Sequence, residues 1–307
     1  MTTPLQFANE YRNLTVAFDD GPGTVRIERY HEGGWDKEAD RLIDDVMGDF
    51  QQQKKKNPGY ALTLTVSGKG VAFKDANVLR RCLHYAFEGK GSPEDCQVGA
   101  QLAVLRKRTT KANLQRYCDD HVGLDCNGFV GNYLWYRRDH KAWPDMMPVE
   151  NQGPNALIND LVFTGTTPVA GLGSLQSAAL NIFALLDGHN RVVAKDSSAA
   201  HAHIVISEPG KFTPSSFVTN SFGGLDPVSG IWGHPALWCV ESTGPQGQVG
   251  LKDDWYALTE VLDTKTNKIQ SVHGHAAYKA FRVYRASKKG TNKEWGNFTI
   301  GSLSPTA

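Results

Sequence analysis

Neither sign of charge dominates this chain. Its 307 residues carry 33 Lys and Arg against 32 Asp and Glu, a formal net charge of +1. That balance excludes the basic footprint of a nucleic-acid-binding domain and a polybasic membrane patch as the basis of function. The one compact basic run, Lys54-Lys55-Lys56, reads as a solvated helix end. No uninterrupted apolar stretch approaches the ~20 residues that a membrane-spanning helix needs. Residues 1–9 lack the basic-then-apolar pattern of a secretory signal. The expectation is therefore synthesis in the cytoplasm without a signal peptide, with any outside role reached through a dedicated secretion machine. Cysteines number only five, Cys82, Cys96, Cys118, Cys126 and Cys239, with no Cys-x-x-Cys pair. Neither a disulfide framework nor a zinc finger fits, and most of them are expected to be small core residues in a reducing compartment. Internal repeats and low-complexity segments are also missing.

What is present alternates between the two secondary-structure periods. Leu14, Val16 and Phe18, then Val25 and Ile27 across the turn at 19–23, predict a β-hairpin. Leu42, Ile43, Val46, Met47 and Phe50 share one face of a helix predicted over 35–53, which Asn57-Pro58-Gly59 stops. A strand over 60–66 follows, then a helix over 75–87 on which Cys82 packs and His84 faces outward. Ser92 caps a further helix that has Pro93 at its first position and runs to about Leu105. Another helical segment, 110–117, leads to the stretch around which the chain is organised.

That stretch is Gly123-Leu124-Asp125-Cys126-Asn127-Gly128-Phe129-Val130. Phe129, Val130, Tyr133 and Leu134 fall at helical spacing, so Cys126 lies in the first turn of a helix reaching about Arg138, with Asp125 as its N-cap. The positive end of a helix favours thiolate over thiol, and the thiolate is the nucleophile. The same end offers unpaired N–H donors to a developing oxyanion. The bland alternative is a buried structural cysteine at a helix start.

Two later stations complete a chemical set. In Ala200-His201-Ala202-His203-Ile204-Val205-Ile206 a histidine heads a β-branched run, placing it at the start of a strand. His203 is the candidate base. His201, two residues earlier on the same face, leaves open a metal pair or plain strand histidines. Ala236–Ser242 reads as a strand ending in Glu241, a candidate to orient the imidazole, or else a solvent-facing strand end; His234 and Asn220 are weaker candidates. Between them, 208–236 is rich in proline and glycine, an irregular insertion placed to cover a cleft and set substrate choice. His273 and His275 read as surface residues. Residues 181–186 and 191–194 form a hairpin, 254–262 and 278–284 are strands, and the last residues are polar and loose.

Gly-x-Asp-Cys-Asn-Gly-Phe-Val resembles the nucleophile motif of the NlpC/P60 cysteine peptidases, Gly-x-Asp-Cys-Ser-Gly-Phe/Leu-Val, with Asn127 in place of the serine. Asn159-Asp160-Leu161-Val162-Phe163 resembles the strand start that often follows that helix, without its glycine. His203 matches the histidine of the family's His-Val-Gly-Ile-Tyr segment, and Glu241 resembles the glutamate of the related CHAP amidases. The resemblance spans 117–285. It implies an α+β fold with a papain-like core, a nucleophile helix packed on an antiparallel sheet. Residues 1–110 would be an N-terminal α/β extension of unknown role and 111–307 the hydrolase domain. It implies a Cys126–His203–Glu241 triad without metal or cofactor, Tyr117 or Asn127 assisting at the oxyanion or orienting the substrate. The reaction implied is hydrolysis of an amide in bacterial peptidoglycan stem peptides, commonly between D-glutamate and a diamino acid. An antibacterial effector that uses secretion machinery and meets an immunity protein is one setting for it. Two other classes stay open, a thiol acyltransferase on the same scaffold and a non-catalytic binding module.

Overall fold

In a computed structural model of the chain, residues 1–31, 36–194, 201–213, 234–244, 247–285 and 293–304 are described. They form two compact units. The first takes Met1–Thr2, Gln6–Asn155 and Ser242–Leu251; the second takes Thr3–Leu5, Ala156–Glu241 and Lys252–Ala307.

The first unit is mainly helical. Its elements are α1 (Pro4–Arg12, all but its first two residues), the hairpin β1 (Leu14–Val16) and β2 (Gly23–Val25), α2 (Lys37–Lys56), the hairpin β3 (Leu62–Val66) and β4 (Lys69–Phe73), α3 (Ala76–Phe87), α4 (Pro93–Leu105), α5 (Leu114–His121) and α6 (Cys126–Asn132). A π-helical turn, Tyr133–Arg138, carries α6 onward. α4 is the centre. Every residue from Pro93 to Ala103 is buried, so the helix is covered on all sides. Its start is held by a capping box, Ser92 accepting from the Asp95 N–H and Asp95 accepting from the Ser92 N–H, as the Ser-Pro signal predicts. Its two buried glutamines bind the hairpins: Gln97 Nε2 donates to Thr15 O (2.6 Å) and Gln101 Nε2 to Ala17 O (2.7 Å), while the Ser67 N–H donates to Gln97 Oε1.

The domain boundary was expected at 110. It falls inside the first unit, because α4 needs cover from α2 and α3 before it and from α5 after it. The segment around Cys126 therefore shares a core with the N-terminal region. Phe7 on α1 stacks on Phe129 of α6, with ring centroids 5.7 Å apart.

The second unit is built on an antiparallel sheet. Its elements are α7 (Ile158–Phe163), β5 (Thr167–Pro168), β6 (Leu180–Leu185), β7 (Ile204–Thr213), β8 (Ala236–Ser242, its last residue in the first unit), β9 (Leu251–Glu260, its first residue likewise), β10 (Ser271–Val272), β11 (His275–Arg285) and β12 (Lys293–Leu303). The order is β10-β11-β9-β8-β7-β6-β12-β5, and β11 also pairs with β12, which closes six strands into a barrel. Residues two apart on each strand point to one face. Phe183, Val205, Leu237 with Cys239, Tyr256 with Leu258, Phe281 with Val283, and Phe298 with Ile300 accordingly fill the barrel interior.

Three expectations are corrected in this unit. Residues 159–163 form a helix, not a strand start, since Ile158 and Val162 are the buried pair and stand four apart. β7 does not stop before 208: its register shifts between Ser207 and Phe212, where Gly210 has φ +80°, and pairing with β8 resumes at Phe212 and Thr213. Pro209-Gly210 thus makes a bulge within a strand where the sequence suggests the start of an irregular insertion. Residues 293–303 are not loose: as β12 they pair with both β6 and β11 and close the barrel. The remainder of the expected insertion, 214–233, with Asn220, lies outside the described residues, as does Trp35. Among the described residues no helix is long and apolar enough to cross a membrane.

Candidate active site

Cys126 is the first residue of α6 and is 6% exposed. Asp125 is its N-cap, in extended conformation, with one carboxylate oxygen accepting from the Gly128 N–H. The other oxygen pairs with Lys90 Nζ. The cap therefore satisfies a helix-end donor without leaving a bare negative charge beside the sulfur.

The turn Gly89-Lys90-Gly91 holds this end of the helix. Gly89 O accepts from the Asp125 N–H (3.0 Å), Lys90 O from Asn132 Nδ2 (2.7 Å) and Gly91 O from the Tyr11 hydroxyl (2.8 Å). Leu124 is fixed as well: its N–H donates to Arg29 O (2.9 Å), and its carbonyl accepts from the His31 N–H (3.2 Å) and from Ser242 Oγ (2.8 Å). This packing explains two glycines of the motif. A Cβ on Gly128 would collide with the Gly89 carbonyl, and one on Gly123 with the His31 ring and the Arg29 carbonyl.

In the second unit, His203 stands immediately before β7, its carbonyl accepting from the Leu185 N–H (3.0 Å). It is 5% exposed and Glu241, at the end of β8, is 2% exposed. His203 Nε2 donates to Glu241 Oε2 at 2.7 Å. A carboxylate only accepts, so the proton of this bond sits on Nε2 and the remaining ring nitrogen, Nδ1, carries the lone pair when the ring is neutral. The alternative of a solvent-facing Glu241 is thereby excluded.

Glu241 has a second partner, which is a cation. Its Oε1 pairs with Arg285 at the end of β11. The imidazole of His203 stacks on Trp295 of β12, with centroids 5.1 Å apart and planes 9° from parallel. The guanidinium of Arg285 also lies over the Trp295 ring. Arg285 and Trp295 were not identified from sequence. The available signal for the arginine was a charged residue ending an otherwise alternating strand; for the tryptophan there was none, because 293–303 did not read as a strand. Around this group, burial pushes the Tyr256 phenol and the Cys239 thiol up, and the charge of Glu241 adds to both. Asp254 is raised by burial, against the Trp255 N–H and Arg285, which lower it.

The assisting candidates are placed otherwise. The Tyr117 hydroxyl is buried without a hydrogen bond, and its phenol is raised first by burial and then by Glu38 and Asp36 at the start of α2. It makes no hydrogen bond to Cys126. Asn127 Nδ2 donates to Pro154 O (3.1 Å), which ties α6 to the following loop and gives the amide a structural use. His201 is exposed where His203 is buried, and no group of three or more His, Cys, Asp or Glu among the described residues is placed to hold a metal ion. His275 stacks on Phe163 and stays exposed.

No protein-family model matches the chain, and neither the curated proteins nor the solved structures include a significant match.

Proposed function

We propose that the chain is a cysteine amidase or endopeptidase, with Cys126 as nucleophile, His203 as base and Glu241 as its orienting acid. The observation that carries the reading is the buried His203–Glu241 hydrogen bond, 2.7 Å between residues 38 apart in sequence. A histidine so held presents a defined tautomer, which a general base needs and a merely structural histidine does not. The capped position of Cys126, with Asp125 balanced by Lys90, supports the nucleophile half.

In this reading His203 Nδ1 takes the Cys126 thiol proton and the thiolate attacks an amide carbonyl. The tetrahedral oxyanion is met by the Cys126 backbone N–H. His203 then gives its proton to the leaving amine, and water cleaves the thioester, regenerating the thiol. Glu241 stabilises the imidazolium while it exists, without taking the proton. The substrate class, a peptidoglycan stem peptide, comes from the resemblance of the Gly-x-Asp-Cys motif.

The test is incubation of purified peptidoglycan with the wild type and with Cys126→Ala, reading new amine termini by mass spectrometry. Product from the wild type alone is expected. Equal product from both proteins removes the mechanism. Acyl-enzyme that accumulates and passes only to an added amine assigns the acyltransferase class instead.

A further inference from the structure

Glu241 serves two partners at once. Oε2 accepts from His203 Nε2 at 2.7 Å, and Oε1 is paired with Arg285. With the carboxylate 2% exposed, water takes little part in balancing its charge. A buried carboxylate beside a single imidazole draws a proton onto that ring; an opposite charge within a few ångströms moves such a midpoint by about 1–3 units. A guanidinium on the other oxygen offsets that pull, and unlike histidine it keeps its charge at every accessible pH. Trp295 joins the two, with His203 stacked on its indole and the Arg285 guanidinium over the same ring. Among the described residues, the other titratable groups facing this carboxylate or Arg285 are Tyr256 and Asp254 on β9 and Cys239 on β8. Tyr256 and Cys239 are held in their neutral forms by burial, so they do not replace the arginine.

We propose that Arg285 is a positioning residue for His203: by neutralising Oε1 of Glu241 it fixes the carboxylate and keeps the imidazole neutral at neutral pH, with the proton on Nε2. The inference rests on the hydrolase reading only for its consequence, a lone pair on Nδ1 for Cys126. The protonation state is read directly on the ring and needs no substrate.

The experiment is long-range 1H–15N correlation of the imidazoles in the 15N-labelled full chain across pH, His203 being assigned by its loss in His203→Gln. The wild type at pH 7 is expected to show a protonated Nε2 and an unprotonated Nδ1. Arg285→Met should raise the His203 midpoint by about one unit or more. Arg285→Lys, which keeps the charge, should return most of that shift. In a Glu241→Gln background the Arg285→Met change should move the midpoint little, since the effect runs through the carboxylate. A doubly protonated ring in the wild type at pH 7 overturns the proposal without any variant. So does an unchanged midpoint in a folded Arg285→Met protein. If the ring behaves as expected and peptidoglycan is not cleaved, the hydrolase reading fails and the role of Arg285 stands.

Discussion

Lys90 pairs with the carboxylate of Asp125, one residue ahead of Cys126, while the other oxygen of that carboxylate caps Gly128. The same aspartate thus closes the helix end and is itself neutralised. Lys90→Met would remove the cation that balances this carboxylate one residue from Cys126 and so oppose thiolate formation. The expected outcome is a fall in the rate of iodoacetamide alkylation of Cys126 at pH 7 by about two- to five-fold, the effect of one charge near a helix end. Mass spectrometry of the alkylated peptide reads it. An unchanged rate means that the lysine has only a structural part.

The closeness of α6 to the turn at Gly89 gives a sharper test. Gly128→Ala places a methyl group on the Gly89 carbonyl, backbone against backbone, with no flexible side chain to yield. A loss of roughly 3 kcal/mol or more is expected, in the range of a severe overpacking or of failure to fold. Gly48 on α2 is the contrast: it is exposed, and a Cβ there meets nothing within 4 Å. Gly48→Ala should stabilise by about 0.5–1 kcal/mol through helix propensity. Urea unfolding of the two variants checks both signs.

These two glycines also mark what the sequence could tell. The residues of the motif read correctly as a capped helix start because capping is local, written within four positions. The identity of their partners was not legible: Gly89, Lys90 and His31 reach Asp125 and Gly123 from 35 residues or more away, and nothing in their spacing advertises it. The barrel was half legible for a related reason. Strands with strict alternation, such as Phe281 and Val283, announced themselves, whereas β12 mixes Gly296, Asn297, Thr299 and Ser302 with its inward Phe298 and Ile300. Its backbone is paired on both sides and Ser302 Oγ donates to Asn181 Oδ1, which are tertiary facts. His203 and Glu241 could be named one by one from strand position, but Arg285, which shares their carboxylate, could not.

Asp95 gives a prediction in pH. It is fully buried, and burial raises its carboxyl to about 6, against the hydrogen bonds from Trp143 Nε1 and Ser92 that pull it down. A carboxyl raised in the folded state contributes stability that is complete below its unfolded value and is lost as pH climbs through the folded one. From the ordinary 3.8 to about 6, the first unit should lose up to about 3 kcal/mol between pH 4 and pH 6 on this account. Urea midpoints at pH 4, 5, 6 and 7 measure the slope. Asp95→Asn should show a constant loss from the altered cap but little of that slope, and equal slopes in the two proteins count against the assignment.

The triad itself is testable before any substrate is known. If His203, neutral at rest, takes the proton of Cys126 as the sulfur attacks, the thiol reacts below the pH at which it would ionise unaided, down to the pH at which the imidazole itself becomes charged. The pH profile of Cys126 alkylation in the wild type should then extend toward acid. In His203→Ala that assistance is lost, and the rate at pH 7 should fall by about a hundredfold, the lower end of what a positioned base contributes. Glu241→Gln should fall between them, since the amide still holds the ring but no longer stabilises its charged form. Cys126 is 6% exposed and the other four cysteines are fully buried, Cys118 being pushed up to about 12 by burial, so the alkylation signal of the folded protein reports Cys126. Identical profiles in the wild type and His203→Ala would separate the cysteine from the histidine, leaving the His203–Glu241–Arg285 group as a structural cluster of the barrel and Cys126 as a capped core residue of the helical unit.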